Sequence, residues 1–310
     1  DKWAPLPSGD GQRLSLTASS NGIYYQNYSI SFTEPWLGGK KPNSLTVSLY
    51  KSISSNGQQN EQREAIEITG LTLGLGKRLK SPDDYFTLYN GVNLQQYKLI
   101  NSQSFFSFRN GFSNNINYNI KLGRNSVDQL IFPRRGSNFL LSLKVTPPYS
   151  IFDGVDDYTS ISDQEKYSWI EYYKWKFKSS WFSSFTDKLV LNTRIEMGLL
   201  GSYNKNLGVA PFERFYVGGD GMSGMGYQFD GRELISLRGY SNNSISPETG
   251  ATIYNKYTSE IRYALSLNPS STMYALGFLE AGNAWESFDN FNPFGVKRSA
   301  GFGVRIMLPM

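Results

Sequence analysis

Apolar and polar residues alternate in short runs along this chain, about a dozen times, with turn-forming residues between the runs. Tyr28, Ile30 and Phe32 alternate with Ser29, Ser31 and Thr33, and Leu45, Val47 and Leu49 alternate with Ser44, Thr46 and Ser48. Further runs hold Ile116, Tyr118, Ile120 and Leu122, and then Phe139, Leu141, Leu143 and Val145. Tyr173, Trp175 and Phe177 interleave with Lys174, Lys176 and Lys178; Ile261, Tyr263, Leu265 and Leu267 interleave with Glu260, Arg262 and Ser266. A period of two belongs to a β-strand with one apolar face. Ile66 and Ile68 share one parity and Leu71, Leu73 and Leu75 the other, a phase slip at Gly70 that predicts a bulge or kink.

Alternation suits a water-soluble sandwich as well as a membrane barrel, and composition has to separate them. Aromatics make up 15% of the 310 residues and charged residues only 18%, against about a quarter charged in ordinary soluble domains. There is no run of about 18 apolar residues, so a transmembrane helix is excluded. The strands run to about ten residues or more, as a tilted membrane strand requires. Trp169, Trp175 and Trp285 gather near strand ends like an interfacial girdle. Tight turns near Glu34–Asn43, Lys80–Asp84 and Asn268–Ser271 alternate with longer polar loops near Ser54–Glu64, Tyr149–Glu165, Ser202–Thr252 and Glu286–Lys297. Bacterial barrels keep short turns on the periplasmic side and long loops outside. The reading is an all-β, transmembrane antiparallel β-barrel, with residues 1–310 forming one partial barrel domain and no linker visible. Lys, Arg and Glu on the polar parity then line its lumen.

The chain has no Cys and no His. Thiolate chemistry, Cys/His zinc sites and a Ser-His-Asp triad are therefore absent. No catalytic residue, metal or cofactor is expected, and the protein is expected not to be an enzyme. The net charge of +5 is spread without a Lys/Arg cluster, so no nucleic-acid partner is expected. No signal peptide precedes Asp1, so it has been cleaved or the first part of the protein is absent from this sequence.

The loop from Ser202 to Thr252 carries the most informative stretch, Ser236-Leu237-Arg238-Gly239-Tyr240, after Gly218-Gly219-Asp220-Gly221. Its other glycines, Gly224, Gly226 and Gly231, read as those of a flexible surface loop, and no Gly-Lys-Ser/Thr is present for phosphate. Arg238 differs from them. A loop folded into a lumen brings its guanidinium to the strand carboxylates, and Gly239 allows a sharp turn or a close approach. Glu260, on the polar parity of its strand, is one expected partner. Glu280 is the second, although strict alternation groups it with Tyr274, Leu276 and Phe278; if inward, these apolar residues would pack against the loop. Two carboxylates also suit a glycosidase, but nothing else supplies a sugar cleft, and an Arg-coordinated structural pair is preferred.

These landmarks resemble the BamA-like outer-membrane protein assembly factors, in a form like that of Bacteroidota sequences. The superfamily also holds the TamA-type autotransporter-assembly and two-partner-secretion transporters. Gly218-Gly219 and Leu237-Arg238-Gly239-Tyr240 resemble its loop motif, with a longer insertion between the halves, and Glu280-Ala281-Gly282-Asn283-Ala284-Trp285 resembles an acidic strand end. Phe132-Pro133-Arg134-Arg135-Gly136-Ser137 and Thr33-Glu34-Pro35-Trp36 resemble two periplasmic turns of the family, through Pro133, Gly136, Glu34, Pro35 and Trp36.

The resemblance implies a sixteen-stranded barrel preceded by POTRA domains, with a lateral gate between its first and last strands. It places the start of this chain near the third strand and its end in the fourteenth, Ser299–Leu308. Roughly twelve strands are then expected, with an open seam where the gate strands belong and Leu308-Pro309-Met310 ending the chain. It also implies residence in the outer membrane of a Gram-negative bacterium. The implied function is central: folding client barrels and inserting them through the seam. The implied partners are the lipid bilayer, unfolded outer-membrane proteins and accessory assembly lipoproteins. A two-partner-secretion pore is the alternative, and a diffusion porin a further one.

Overall fold

The computed structural model describes residues 11–39, 43–102, 107–155, 157–220, 233–268 and 271–307. Lys40–Pro42 of the first tight turn, Gly221, Gly224, Gly226 and Gly231, part of the Asn268–Ser271 turn, and Leu308–Met310 lie outside them.

The alternating runs become β1 (Arg13–Asn21), β2 (Tyr25–Glu34), β3 (Asn43–Ser55), β4 (Ala65–Arg78), β5 (Phe86–Ile100), β6 (Gly111–Asn125) and β7 (Gly136–Val145). They continue as β8 (Tyr173–Ser184), β9 (Leu189–Gly201), β10 (Phe215–Val217), β11 (Glu233–Ile235), β12 (Ile253–Asn268), β13 (Ser271–Trp285) and β14 (Lys297–Met307). All but β10 and β11 join one antiparallel sheet of 12 strands, in chain order from β1 to β14, with β9 paired directly to β12. This sheet is the wall of a transmembrane β-barrel. Among the described residues no helix is long and apolar enough to cross a membrane.

β10 and β11 lie in the Ser202–Thr252 loop, which leaves the wall after β9, makes its own parallel pair, and rejoins the wall at β12. It packs against inward side chains of the wall, so the largest core of the molecule lies inside the barrel mouth. There Phe212, Phe215, Val217, Ile235 and Leu237 of the loop meet Ile68, Tyr97, Leu99 and Tyr254 of the wall, with Tyr167, Ile170 and Tyr172 from the connection between β7 and β8. A smaller cluster at the other end joins Phe132 to Val190, Ala264, Tyr274 and Leu276.

That location corrects the expectation at Gly70. β4 pairs with β3 and β5 in unbroken register through Gly70, opposite Tyr50 and Gln95, without a bulge. The phase slip is chemical. Ile68 faces inward into the loop core, whereas Leu73 and Leu75 face outward and are exposed. The backbone keeps its alternation while the apolar parity changes sides where the strand reaches the level of the loop core. Outward Glu67, above that change, sits among Lys51, Arg63 and Lys98. Gly70 itself makes room for the Tyr50 ring, which a Cβ there would strike. The register shift between β12 and β13 falls instead at Ala264 and Ser266.

Candidate functional site: the anchored lumen loop

The two halves of the loop motif come together across the unmatched insertion. Gly218 N donates to the Ile235 carbonyl and Gly219 N to the Tyr240 carbonyl, each at 3.0 Å. Gly219 and Leu237 form an antiparallel bridge. Gly218 and Gly219 have φ of 130° and 92°, and a Cβ on either would run into the strand of loop at Ser241 and Asn242. Only glycine serves a backbone of that hand packed that closely. Leu237, fully buried, fixes the motif to the loop core.

Arg238 then reaches the wall. β12 and β13 pair so that Thr258 stands opposite Glu280 and Glu260 opposite Phe278. These four inward positions make a small grid, and Arg238 caps it. Its Nη2 donates to Glu280 Oε1 at 2.8 Å, and Nη1 and Nη2 both donate to Glu260 Oε2 at 3.2 Å. Its backbone N–H donates to Glu280 Oε2 at 2.9 Å. Its guanidinium carbon lies 3.6 Å from the centroid of the Phe278 ring, close enough for a cation–π contact. A planar fork satisfies two carboxylates and a ring face at once.

The carboxylates carry other cations as well. Glu260, wholly buried, accepts from Arg262 Nε at 2.7 Å and faces Arg194 at 3.8 Å. Glu280, 3% exposed, accepts from Thr258 Oγ1 at 3.3 Å and faces Lys256 at 3.5 Å. So the chain places Glu280 inward. Of its apolar companions, Phe278 packs on the loop's Arg238, whereas Tyr274 and Leu276 pack with Phe132 at the other end of the lumen.

The motif ends on a third strand. The backbone of Gly239, at φ 86°, passes so near β14 that a Cβ would lie 3.1 Å from the Ser299 side chain. Tyr240 Oη donates to the Arg298 carbonyl at 2.8 Å. Four consecutive residues thus join the loop core to β12, β13 and β14.

A second anchor, on the β7–β8 side, was not read from the sequence. Lys174 is 2% exposed, and its ammonium donates to the Glu213 carbonyl at 2.7 Å and to Glu213 Oε2 at 2.9 Å. It also pairs with Glu233 at 2.9 Å, so its three protons have three acceptors. Lys144 joins Glu213 at 3.2 Å and Lys176 joins Glu233. Burial opposes the charged form of both glutamates, but these lysines outweigh it and hold both carboxyls below their ordinary value, Glu213 far below it. Glu213 takes φ of 65°, a left-handed conformation rare without glycine, to present both its carbonyl and its carboxylate to Lys174. The inward lysine ladder of β8 was the available signal. Its partners lie in a loop without periodicity, which gives no parity to read.

The turn residues lie apart from both anchors. Glu34 accepts the Trp36 N–H at 3.0 Å and the Gln12 side chain at 2.6 Å, closing the turn that contains Pro35. Pro133 follows Phe132, whose ring meets Tyr274 at 5.2 Å. Gly136, at φ 99°, lies so close to the Ser126 carbonyl that a side chain has no room. Among the described residues no group of His, Cys, Asp or Glu could hold a metal ion.

The fold is that of a transmembrane β-barrel protein whose long loop is clamped inside the lumen by a guanidinium. The Omp85 superfamily domain matches residues 8–310, and this chain belongs to that family. The outer membrane protein assembly factor BamA of Neisseria meningitidis is 22% identical over 271 residues, covering 82% of this chain and 29% of the relative. In fold, BamA from Haemophilus ducreyi, in a form lacking POTRA domains 1–3, is similar with a TM-score of 0.68 at 19% identity, over 96% of this chain and 58% of that one. CdiB from Escherichia coli is similar with a TM-score of 0.51 at 15% identity, over 92% and 47%. The chain spans less than a third of the length of the Neisseria relative.

Proposed function

We propose that this chain is the barrel part of an outer-membrane β-barrel assembly factor, residing in the outer membrane and folding client barrel proteins into it. The observation that carries the reading is the double anchoring of the lumen loop. Buried ion pairs hold it to β7 and β8 on one side and to β12 and β13 on the other, and an apolar core fills the mouth between them. Freeing such a loop means separating buried charges, which costs about 3–5 kcal/mol when one partner is removed. A lumen occupied in that way opposes passage of a polypeptide or a solute, and favours action at the wall. The greater fold likeness to BamA than to CdiB supports the same reading.

On this proposal the chemistry is non-covalent. A strand edge offers its unpaired N–H and C=O groups to an incoming client strand, and mismatch with the bilayer thins it locally. Arg238, Glu260 and Glu280 brace the wall from inside. The whole protein would complete a sixteen-stranded barrel carrying POTRA domains, with unfolded outer-membrane proteins as clients and lipoproteins as accessory partners. The second reading, a secretion pore for one partner polypeptide, rests on the likeness to CdiB.

Depletion of the full-length protein in its host, followed by quantitative proteomics of the outer membrane, separates the two. A fall in many unrelated barrel proteins is expected. Loss of a single secreted polypeptide with other barrels intact would replace the assembly reading by the pore.

A further inference from the structure

The connection between β13 and β14 turns the opposite way from the lumen loop. Residues 287–296 fold back over the outer face of the wall, where two asparagines hold them. Asn255 Nδ2 donates to the Pro293 carbonyl at 3.0 Å, and Asn283 Nδ2 donates to the Gly295 carbonyl at 2.6 Å. Both stand on the outward parity of their strands, opposite the inward Glu260 and Glu280 series. An amide side chain on a lipid-facing position is costly unless it is satisfied, and the loop backbone satisfies these. Asn255 is left only 1% exposed.

This strap is aromatic. Phe291 meets the Trp285 ring edge-on at 4.9 Å, and Phe288 follows at 6.4 Å. Phe294 stands free, 86% exposed. Leaving a phenylalanine in water forgoes its burial, whereas contact with hydrocarbon recovers it.

Between strap and wall lies a groove of about 220 Å³. Its floor is a cross-strand row of Leu141, Phe177 and Met197, with Trp175 beside it, and its roof is Phe288 and Phe291. Lys176 borders the groove but turns its ammonium inward to Glu233. Apolar cavities of about 150 Å³ already hold a benzene-sized guest. The groove opens on the parity that faces lipid along β8 and β9, so hydrocarbon is what meets it.

We infer that this groove binds one acyl chain of a bilayer lipid, with the Phe288–Phe291 strap as its roof. The site is independent of whether the barrel assembles clients or secretes a partner. The test is photolabelling of the full-length protein in phosphatidylcholine and phosphatidylethanolamine vesicles that contain a phospholipid with a diazirine in its acyl chain, mapped by mass spectrometry. Label is expected on the Met197 and Phe288–Phe291 peptides severalfold above the outward wall of β4 and β5. It is expected to fall to that background in Met197→Trp, which fills the groove, and in Phe288→Ser with Phe291→Ser, which leaves every strand unchanged. Leu73→Trp, on the distant wall, is expected to change nothing at the groove. Equal labelling of both walls, labelling indifferent to Met197→Trp and to the strap variant, or recovery of a protein in place of lipid on the strap in host membranes would overturn the inference.

Discussion

The Phe278 ring occupies the space that a side chain at Gly301 would take: a Cβ there would lie 2.6 Å from the ring's Cζ. The two residues face each other in register between β13 and β14. The vacancy on β14 lets the ring lie flat on the wall, and the flat ring is the floor on which Arg238 rests. A glycine on β14 thereby sets the position of the guanidinium through the ring. Gly301→Val is expected to lift Phe278 and loosen Arg238, at about 1–3 kcal/mol for overpacking. Trypsin cleavage after Arg238 in reconstituted protein reads this directly: it should quicken in Gly301→Val. A Gly301→Val protein as resistant as the parent would remove the ring from the account.

Arg238→Lys is expected to fail almost as fully as Arg238→Ala. Lysine lacks the planar fork whose Nη1 and Nη2 reach Glu260 while Nη2 also reaches Glu280 and the plane lies on the Phe278 face. Each change leaves buried carboxylates short of a partner, a loss of about 3–5 kcal/mol in loop docking. Hydrogen exchange across residues 233–241 measures it, and a lysine variant as protected as the parent would argue against the bidentate geometry.

In the second anchor the sign of the pH dependence follows from Glu213 and Glu233. Both carboxyls lie below their ordinary value of 4.5 because Lys144, Lys174 and Lys176 overcome the effect of burial. A lowered folded value means that the stabilisation is complete above the unfolded value of 4.5 and is lost as pH falls from there through the folded value. Protection of residues 212–217 in membrane vesicles is therefore expected to hold at neutral pH and to decline below about pH 4.5. Glu213→Gln should remove much of that decline along with the stabilisation at neutral pH. A decline of the same size in Glu213→Gln together with Glu233→Gln would place the titrating group elsewhere.

Gly70→Leu is expected to destabilise the barrel by about 1–3 kcal/mol, since its side chain enters the space held by Tyr50. Tyr50→Ser in the same chain should restore most of the loss. Urea unfolding in vesicles gives both values, and a neutral Gly70→Leu would show that the ring moves aside freely.

Much of the wall was legible in the chain alone, because a strand's side chains alternate with a fixed period and lipid demands an apolar outer face. That rule predicted the all-β barrel, the inward placement of Glu260 and the lysines of β8, and the division into short turns and long loops. It fell silent where both parities are apolar. At Gly70 the outer face changes from the exposed Leu73 and Leu75 to the charged Glu67, Lys51 and Lys98 while the inner face meets the loop core, so the apolar parity switches with no break in the backbone. At Glu280 the same condition hid which way the strand faced: Tyr274, Leu276 and Phe278 are apolar and inward because Phe132 and Arg238 cover them. Only the tertiary structure could pair Glu213 and Glu233 with Lys174, since residues of an aperiodic loop find their partners through long-range packing. It alone turned the β13–β14 connection outward, through Asn255 and Asn283. Alternation is a local property of the backbone and can be read from sequence order. What a loop covers depends on the surface waiting for it, and that surface exists only once the strands have paired into a wall.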